Sequence, residues 1–143
     1  MPKQEKNKMN KIRLKITTPL GTFFDDDIEI VTLKTPEGYI GLQHNRVPFI
    51  SSIEISTMYV NIDKNNKKIA AIGGGLVFVE KQHIDIFTDD IEWKEEINKS
   101  EIEKLFDETT KKLQSNFKDN VEKHKYEILL KKTINKLSTL EKK

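Results

Sequence analysis

Cysteine is absent from this 143-residue chain, which excludes disulfides and thiol chemistry and removes the commonest ligands of structural zinc. Long hydrophobic runs are missing as well. No apolar stretch approaches the roughly 20 residues a membrane helix needs, and the lysine-rich start lacks the apolar core of a secretory signal. We therefore expect no direct membrane insertion and a chain that stays in the cytoplasm, touching a membrane only through partners. His44, His83 and His124 are too scattered for a metal motif. Asp25-Asp26-Asp27 lacks the spacing, Gly and Glu of a calcium loop, and reads as a solvated turn before a strand. Gly73-Gly74-Gly75 is not followed by Lys-Ser/Thr, and Leu76-Val77-Phe78-Val79 reads as a strand, so the triplet is a strand junction or bulge and not a phosphate cradle. No metal, cofactor or catalytic residue is expected.

What is present in quantity is charge, at 34% of residues against 36% hydrophobic. The overall +2 conceals a division: residues 1–15 carry +5, residues 16–93 carry −6, residues 94–110 carry −3 and residues 111–143 carry +6. A basic end can seek nucleic acid, an anionic lipid or an acidic protein surface. No aromatic residue lies among Lys3, Lys6, Lys8 and Lys11 to stack on bases, which argues against nucleic acid. Residues 1–10 are expected to be a disordered basic tail.

The hydrophobic period changes once. Ile12–Ile16, Ile28–Val31, Met58–Ile62 and Ile84–Phe87 are short, β-branched and alternating, the pattern of strands with one buried face. Pro19-Leu20-Gly21, Pro36-Glu37-Gly38 and Asp63-Lys64-Asn65-Asn66 separate strands as turns. Beyond Asn98 the steps become three and four. Ile102, Leu105, Phe106, Thr109, Leu113 and Phe117 form one stripe, and Tyr126, Leu130, Ile134 and Leu137 another. Asn98 with Glu101 resembles a capping box that starts a helix at Lys99 and carries it to about Ser115. Early acids and late lysines, with Glu108 and Lys112 one turn apart, suit the helix dipole. The expected architecture is β followed by α: a β-sandwich over 11–91, a linker over 92–98 fastened to the sandwich by Trp93, and an antiparallel two-helix hairpin over 99–143.

Four short motifs then fall in one order. Ile16-Thr17-Thr18-Pro19-Leu20-Gly21 is followed by Phe24; next come Thr35-Pro36-Glu37-Gly38-Tyr39-Ile40-Gly41-Leu42 with Val47-Pro48, the glycine triplet, and Ile84-Asp85-Ile86-Phe87-Thr88-Asp89. Together they resemble the ε subunit of rotary F-type ATPases. That resemblance implies a non-catalytic rotor part of the central stalk, bound to the γ subunit and peripheral on the cytoplasmic face of the membrane. It further implies helices that fold down on the sandwich or extend toward the α/β catalytic ring and restrain ATP hydrolysis.

The resemblance assigns candidate residues and also exposes departures. The loop near the γ shaft and the membrane c-ring corresponds here to Tyr39, Gln43, His44, Asn45, Arg46 and Pro48. Tyr39 replaces an acid, His44 a proline and Arg46 a histidine, so either the c-ring has changed with it or another partner takes its place. Lys118, Lys123, Lys125, Lys131, Lys132 and Lys136 are the candidates for contact with the catalytic ring. Some relatives bind ATP through Ile/Leu-Asp-x-x-Arg-Ala. Here Asn98, Glu101 and Ile102 replace Asp, Arg and Ala, and a carboxylate at Glu101 would repel phosphate. No nucleotide binding is expected. The alternatives are an ε-like subunit of a specialised F1-like motor without the usual c-ring, a stand-alone β-sandwich binding module, and a small hydrolase using carboxylates such as Asp89, Asp90 and Glu92.

Overall fold

A computed structural model describes residues 10–143; the expected basic tail over 1–10 lies, but for its last residue, outside them. Eight strands come first: β1 (Ile12–Thr18), β2 (Gly21–Ile28), β3 (Ile30–Thr35), β4 (Gly38–Leu42), β5 (Phe49–Asp63), β6 (Asn66–Val79), β7 (His83–Phe87) and β8 (Ile91–Trp93). A 3-10 turn at Lys94–Glu96 leads to α1 (Lys99–Leu113) and α2 (Asn120–Leu140). The hydrogen-bonded order is β2-β1-β7-β6-β5-β3-β4, with β8 added to β6. All pairs are antiparallel except β1 with β7.

All eight strands contribute to one core that includes Leu14, Ile28, Leu33, Leu42, Met58, Ile72, Ile86 and Trp93. A flat sheet could not bring these together, so the sheet folds over on itself into two layers. The long strands β5 and β6 make the fold, running through both layers. At one end β6 carries β7 through Leu76–Val79; at the other it carries β8 through Ala70–Ile72, while β5 carries β3 through Tyr59–Asn61. Between the two ends the inward-facing parity switches. Met58, Val60, Ala70 and Ile72 face the core in one layer, and Ile53, Val77 and Val79 in the other.

The glycine triplet sits at this corner, opposite Ile53–Ile55. Gly74 has φ +88°, a region that side-chain-bearing residues enter at a cost, and a Cβ on Gly75 would collide with the Phe87 carbonyl oxygen. The junction expected from the sequence is thus the bend of a single strand. The other crossing between layers is abrupt. The expected strand Ile28–Val31 is divided at Glu29, where β2 ends in one layer and β3 begins in the other, because continuing straight would carry Ile30 and Val31 off the core. The Glu29 N–H donates to the Asn61 carbonyl at 2.9 Å and fixes the turn.

Two further expectations shift. Asp25-Asp26-Asp27 is not a turn but part of β2, where Asp25 and Asp27 reach across to Arg13 on β1 at 2.8 and 3.4 Å. Alternation places those side chains outward, so the acids are compatible with a strand. The expected linker at 92–98 starts inside the sheet: β8 pairs with β6, and Trp93 is buried against Phe23 and Phe24, with ring centroids 4.8 and 5.8 Å away.

The helices begin where their caps dictate. Asn98 Oδ1 accepts the Glu101 N–H at 3.2 Å, and Asp119 Oδ1 accepts the Val121 N–H at 2.8 Å. The two helices pack on each other, with Phe117 and Tyr126 closing the loop end at 5.7 Å between centroids. The hairpin lies on the outer face of the β5–β6 layer. There Ile102 of α1, with Leu137 and Leu140 of α2, joins Ala71 and Ile97 in a second, small core.

Candidate functional site

Alternation in the strands decides which side chains the head offers to a partner. In the layer away from the hairpin, the outward row on β2, β1 and β7 is charged. Arg13 pairs with Asp25 and Asp27, and His83 Nε2 lies 2.9 Å from Asp85. From the end of β7 onto β6 and β5 the same face turns apolar: Phe87, Leu76 and Ile50 are exposed, and Phe78 meets Phe87 edge-on at 5.6 Å. Register places Ile50 opposite Phe78 and Leu76 opposite Phe87, so the four make one contiguous patch. Such a patch on an otherwise charged protein marks an interaction surface. Beside it lies a groove of about 600 Å³ walled by Pro19, Gly74, Gly75, Leu76 and Phe87. Sequence reading missed this surface, although the signal was there: Leu76 and Phe78 alternate with the core residues Val77 and Val79, and the Asp85 position between two apolar neighbours already faces solvent.

The β4–β5 loop adjoins the patch. Gln43, Asn45, Arg46, Val47 and Pro48 are all exposed. Asn45 has φ +65°, tolerable for Asn, and its N–H donates to the Lys81 carbonyl at 2.8 Å, which ties the loop to the β6–β7 turn. His44 is half-buried, and its Nδ1 has no hydrogen-bond partner among the described residues. Arg46 borders a groove of about 400 Å³ between the free edges of the two layers, shared with Pro36, Glu37, Ile40 and Phe49.

Tyr39 separates from this group. It stands at the far end of β4 from Gln43, opposite Lys34, and its hydroxyl donates to the Thr57 carbonyl at 3.0 Å, toward the face that carries the hairpin. Burial, and secondarily the neighbouring Tyr59, push its phenol above the usual value.

The six candidate lysines divide too. Lys118, Lys123, Lys125 and Lys131 are exposed along α2 and the loop before it. Lys132 and Lys136 are turned inward onto the head. Lys132 Nζ is 3.6 Å from Asp89, and Lys136 Nζ lies 3.5 Å from Asp90 and 3.4 Å from Glu92. The three acids considered above for a hydrolase are therefore partners of lysines. At the start of α1, Asn98 serves as the helix cap and Ile102 is packed in the small core, while Glu101 is exposed. Among the described residues no cluster of His, Cys, Asp or Glu is arranged to hold a metal, and no helix is long and apolar enough to cross a membrane.

Residues 11–94 match the β-sandwich domain of the ATP synthase delta/epsilon chain. The chain is 44% identical to the ATP synthase epsilon chain of Mycoplasma mobile, over 90% of this chain and 92% of that one. It is 38% identical to the epsilon chain of Mycoplasmopsis pulmonis, over 89% and 91%. In three dimensions it resembles a chain of the Euglena gracilis mitochondrial ATP synthase, in a structure of OSCP, F1 and c-ring, with a TM-score of 0.78 and 22% identity over 92% of this chain and 82% of that one.

Proposed function

The chain belongs to the epsilon chains of ATP synthase, non-catalytic subunits of the F-type central stalk, and from that premise we propose how it docks and what its helices do. The patch of Ile50, Leu76, Phe78 and Phe87 seats on the γ subunit. The carrying observation is that Ile50, Leu76 and Phe87 stay exposed and, with the half-buried Phe78, form one contiguous apolar patch on the strands, whereas the exposed Leu20 and Val47 stand singly in a turn and a loop. Burying such side chains stabilises a complex by about 1.5–3 kcal/mol each before the costs of association. The adjoining loop, with Gln43, His44, Asn45, Arg46 and Pro48, faces the c-ring or whatever replaces it, which keeps the subunit peripheral on the cytoplasmic side of the membrane.

The hairpin is the regulatory part. On α2, Val121, Ile128 and Ile134 are exposed beside Lys125 and Lys131, an apolar and basic surface suited to an acidic loop of the α/β ring when the helices leave the head. Nucleotide does not control this movement, since Ile102 is packed in the small core where relatives that bind ATP carry Ala, and Glu101 replaces their Arg. The test is to isolate the tagged protein from its native cells in mild detergent and identify the copurifying chains. Recovery of α, β and γ with a c-ring is expected. Recovery with unfamiliar partners and no c-ring would transfer the reading to a specialised motor. Leu76→Glu with Phe87→Glu should abolish recovery of γ while the head stays folded; undiminished recovery would overturn the docking surface.

A further inference from the structure

We propose that Lys132 and Lys136, seated against Asp89, Asp90 and Glu92, form an ionic latch that holds the hairpin on the head and weakens as ionic strength rises. Three observations carry it. First, the rest of the α2 seat on the sheet is largely polar. Asn135 Nδ2 donates to the Ser56 carbonyl at 2.8 Å, and the hydroxyls of Thr57 and Thr139 are 2.8 Å apart. The apolar contribution is confined to the small cluster of Ala71, Ile97, Ile102, Leu137 and Leu140. Polar contacts exchange readily for water, so the docked state is balanced finely enough for charge to decide it.

Second, the seat is shaped for the lysine. A Cβ on Gly73 would come within 2.9 Å of Asp90 and 3.0 Å of Lys132 Cε, and the Gly73 N–H donates to the Asp90 carbonyl at 2.7 Å. Gly74 and Gly75 serve the bend, whereas Gly73 is the gap through which the Lys132 stem passes beside Asp90. Third, both lysines are largely withdrawn from water at 20% side-chain exposure; Asp89 is 71% exposed, but Asp90 and Glu92, the partners of Lys136, are at 27% and 32%, so the Lys136 pairs carry most of the latch. These pairs are less screened than a surface pair. The net +6 of residues 111–143 and the net −6 of residues 16–93 add a weaker, longer-range attraction of the same sign, part of it from acids on the far layer. Salt removes both contributions as the Debye length falls from about 10 Å at 0.1 M to about 3 Å at 1 M.

The latch deepens the regulatory part of the stalk reading and rests on it only for its consequence, because docking is a property of the free chain. The test uses the full chain carrying Thr57→Cys and Thr139→Cys. With no native cysteine, the rate of disulfide formation under a fixed oxidant reads the docked fraction, and Trp93 fluorescence checks that the head is folded. With the lysines intact, the rate should fall as salt is raised from about 0.05 to 1 M. Lys132→Gln with Lys136→Gln should slow it roughly five-fold at low salt and remove the salt response. Lys136→Glu combined with Glu92→Lys and Asp90→Asn, which leaves no acid facing the new carboxylate, should restore most of the rate. Equal rates and salt responses with and without the lysines would overturn the latch, as would a slowed rate that the exchanged pair does not restore. Neither result bears on which chains copurify, so the stalk reading stands or falls separately.

Discussion

In the head, Leu14, Ile16, Ile28, Leu33, Leu42, Ile84 and Ile86 have no exposed area at all; in the hairpin, the residues closest to that state are threonines, Thr109, Thr133 and Thr139. Both regions are regular and well capped, yet they hold their places by different means. The head is closed by interlocking aliphatic chains from eight strands. The helices are held to it by a few hydrogen bonds, three acids and a five-residue apolar cluster. Two classes of interaction in one chain give a tightly closed part and a part held less firmly, the division on which the proposed lifting of the hairpin rests.

Substitutions that separate the two regions sharpen this comparison or break it. Leu14→Ala leaves a void among residues that cannot relax, and should destabilise the head by about 2–5 kcal/mol in denaturant titration followed by Trp93 fluorescence. A loss under 1 kcal/mol would mean that the head is no stiffer than the hairpin. Gly75→Ala, which drives a methyl into the Phe87 carbonyl, should cost about 1–3 kcal/mol in the same measurement, and Ser at that position should behave alike. Asn98→Ala removes the α1 cap. It should lower helical circular dichroism and cost the hairpin about 1 kcal/mol while the Trp93 transition keeps its midpoint; a shift of that midpoint would show head and hairpin unfolding as one unit. The smallest effect belongs to ATP. Millimolar nucleotide should leave the melting temperature unchanged, because a ligand stabilises only a fold that binds it.

Legibility followed the kind of interaction. The strands with alternating β-branched residues and the start of α1 at Lys99 could be read from residue order, because the pleat and the cap are local. Trp93 as an anchor could be read too, since a lone large aromatic beside a sheet has few other places to go. The face of α2 could not. The period suggested Tyr126, Leu130, Ile134 and Leu137, yet Ile134 is 49% exposed while Thr133 is buried. A helix lying between another helix and a sheet has two inward faces, and one of them is polar, so no single apolar stripe describes it. The family resemblance groups Tyr39 with the β4–β5 loop, whereas the extended strand sets it at the other end of β4 from Gln43, a separation that a motif read along the chain does not display. The same limit hid the acids. Asp25 and Asp27 resemble a turn until Arg13 lies opposite, and Asp89, Asp90 and Glu92 resemble loose carboxylates until two lysines some forty residues later arrive.

Residue order by itself determined the class of the fold, its division near Asn98, the absence of thiol chemistry and the family likeness, because periodicity, capping and turn chemistry act between residues a few positions apart. The tertiary structure alone decided where the sheet folds over, which apolar residues remain outside to meet a partner, and which two of six lysines are claimed by the head. Those outcomes depend on the partners that distant segments bring together, and charges or methyl groups have no preferred partner until the chain has closed.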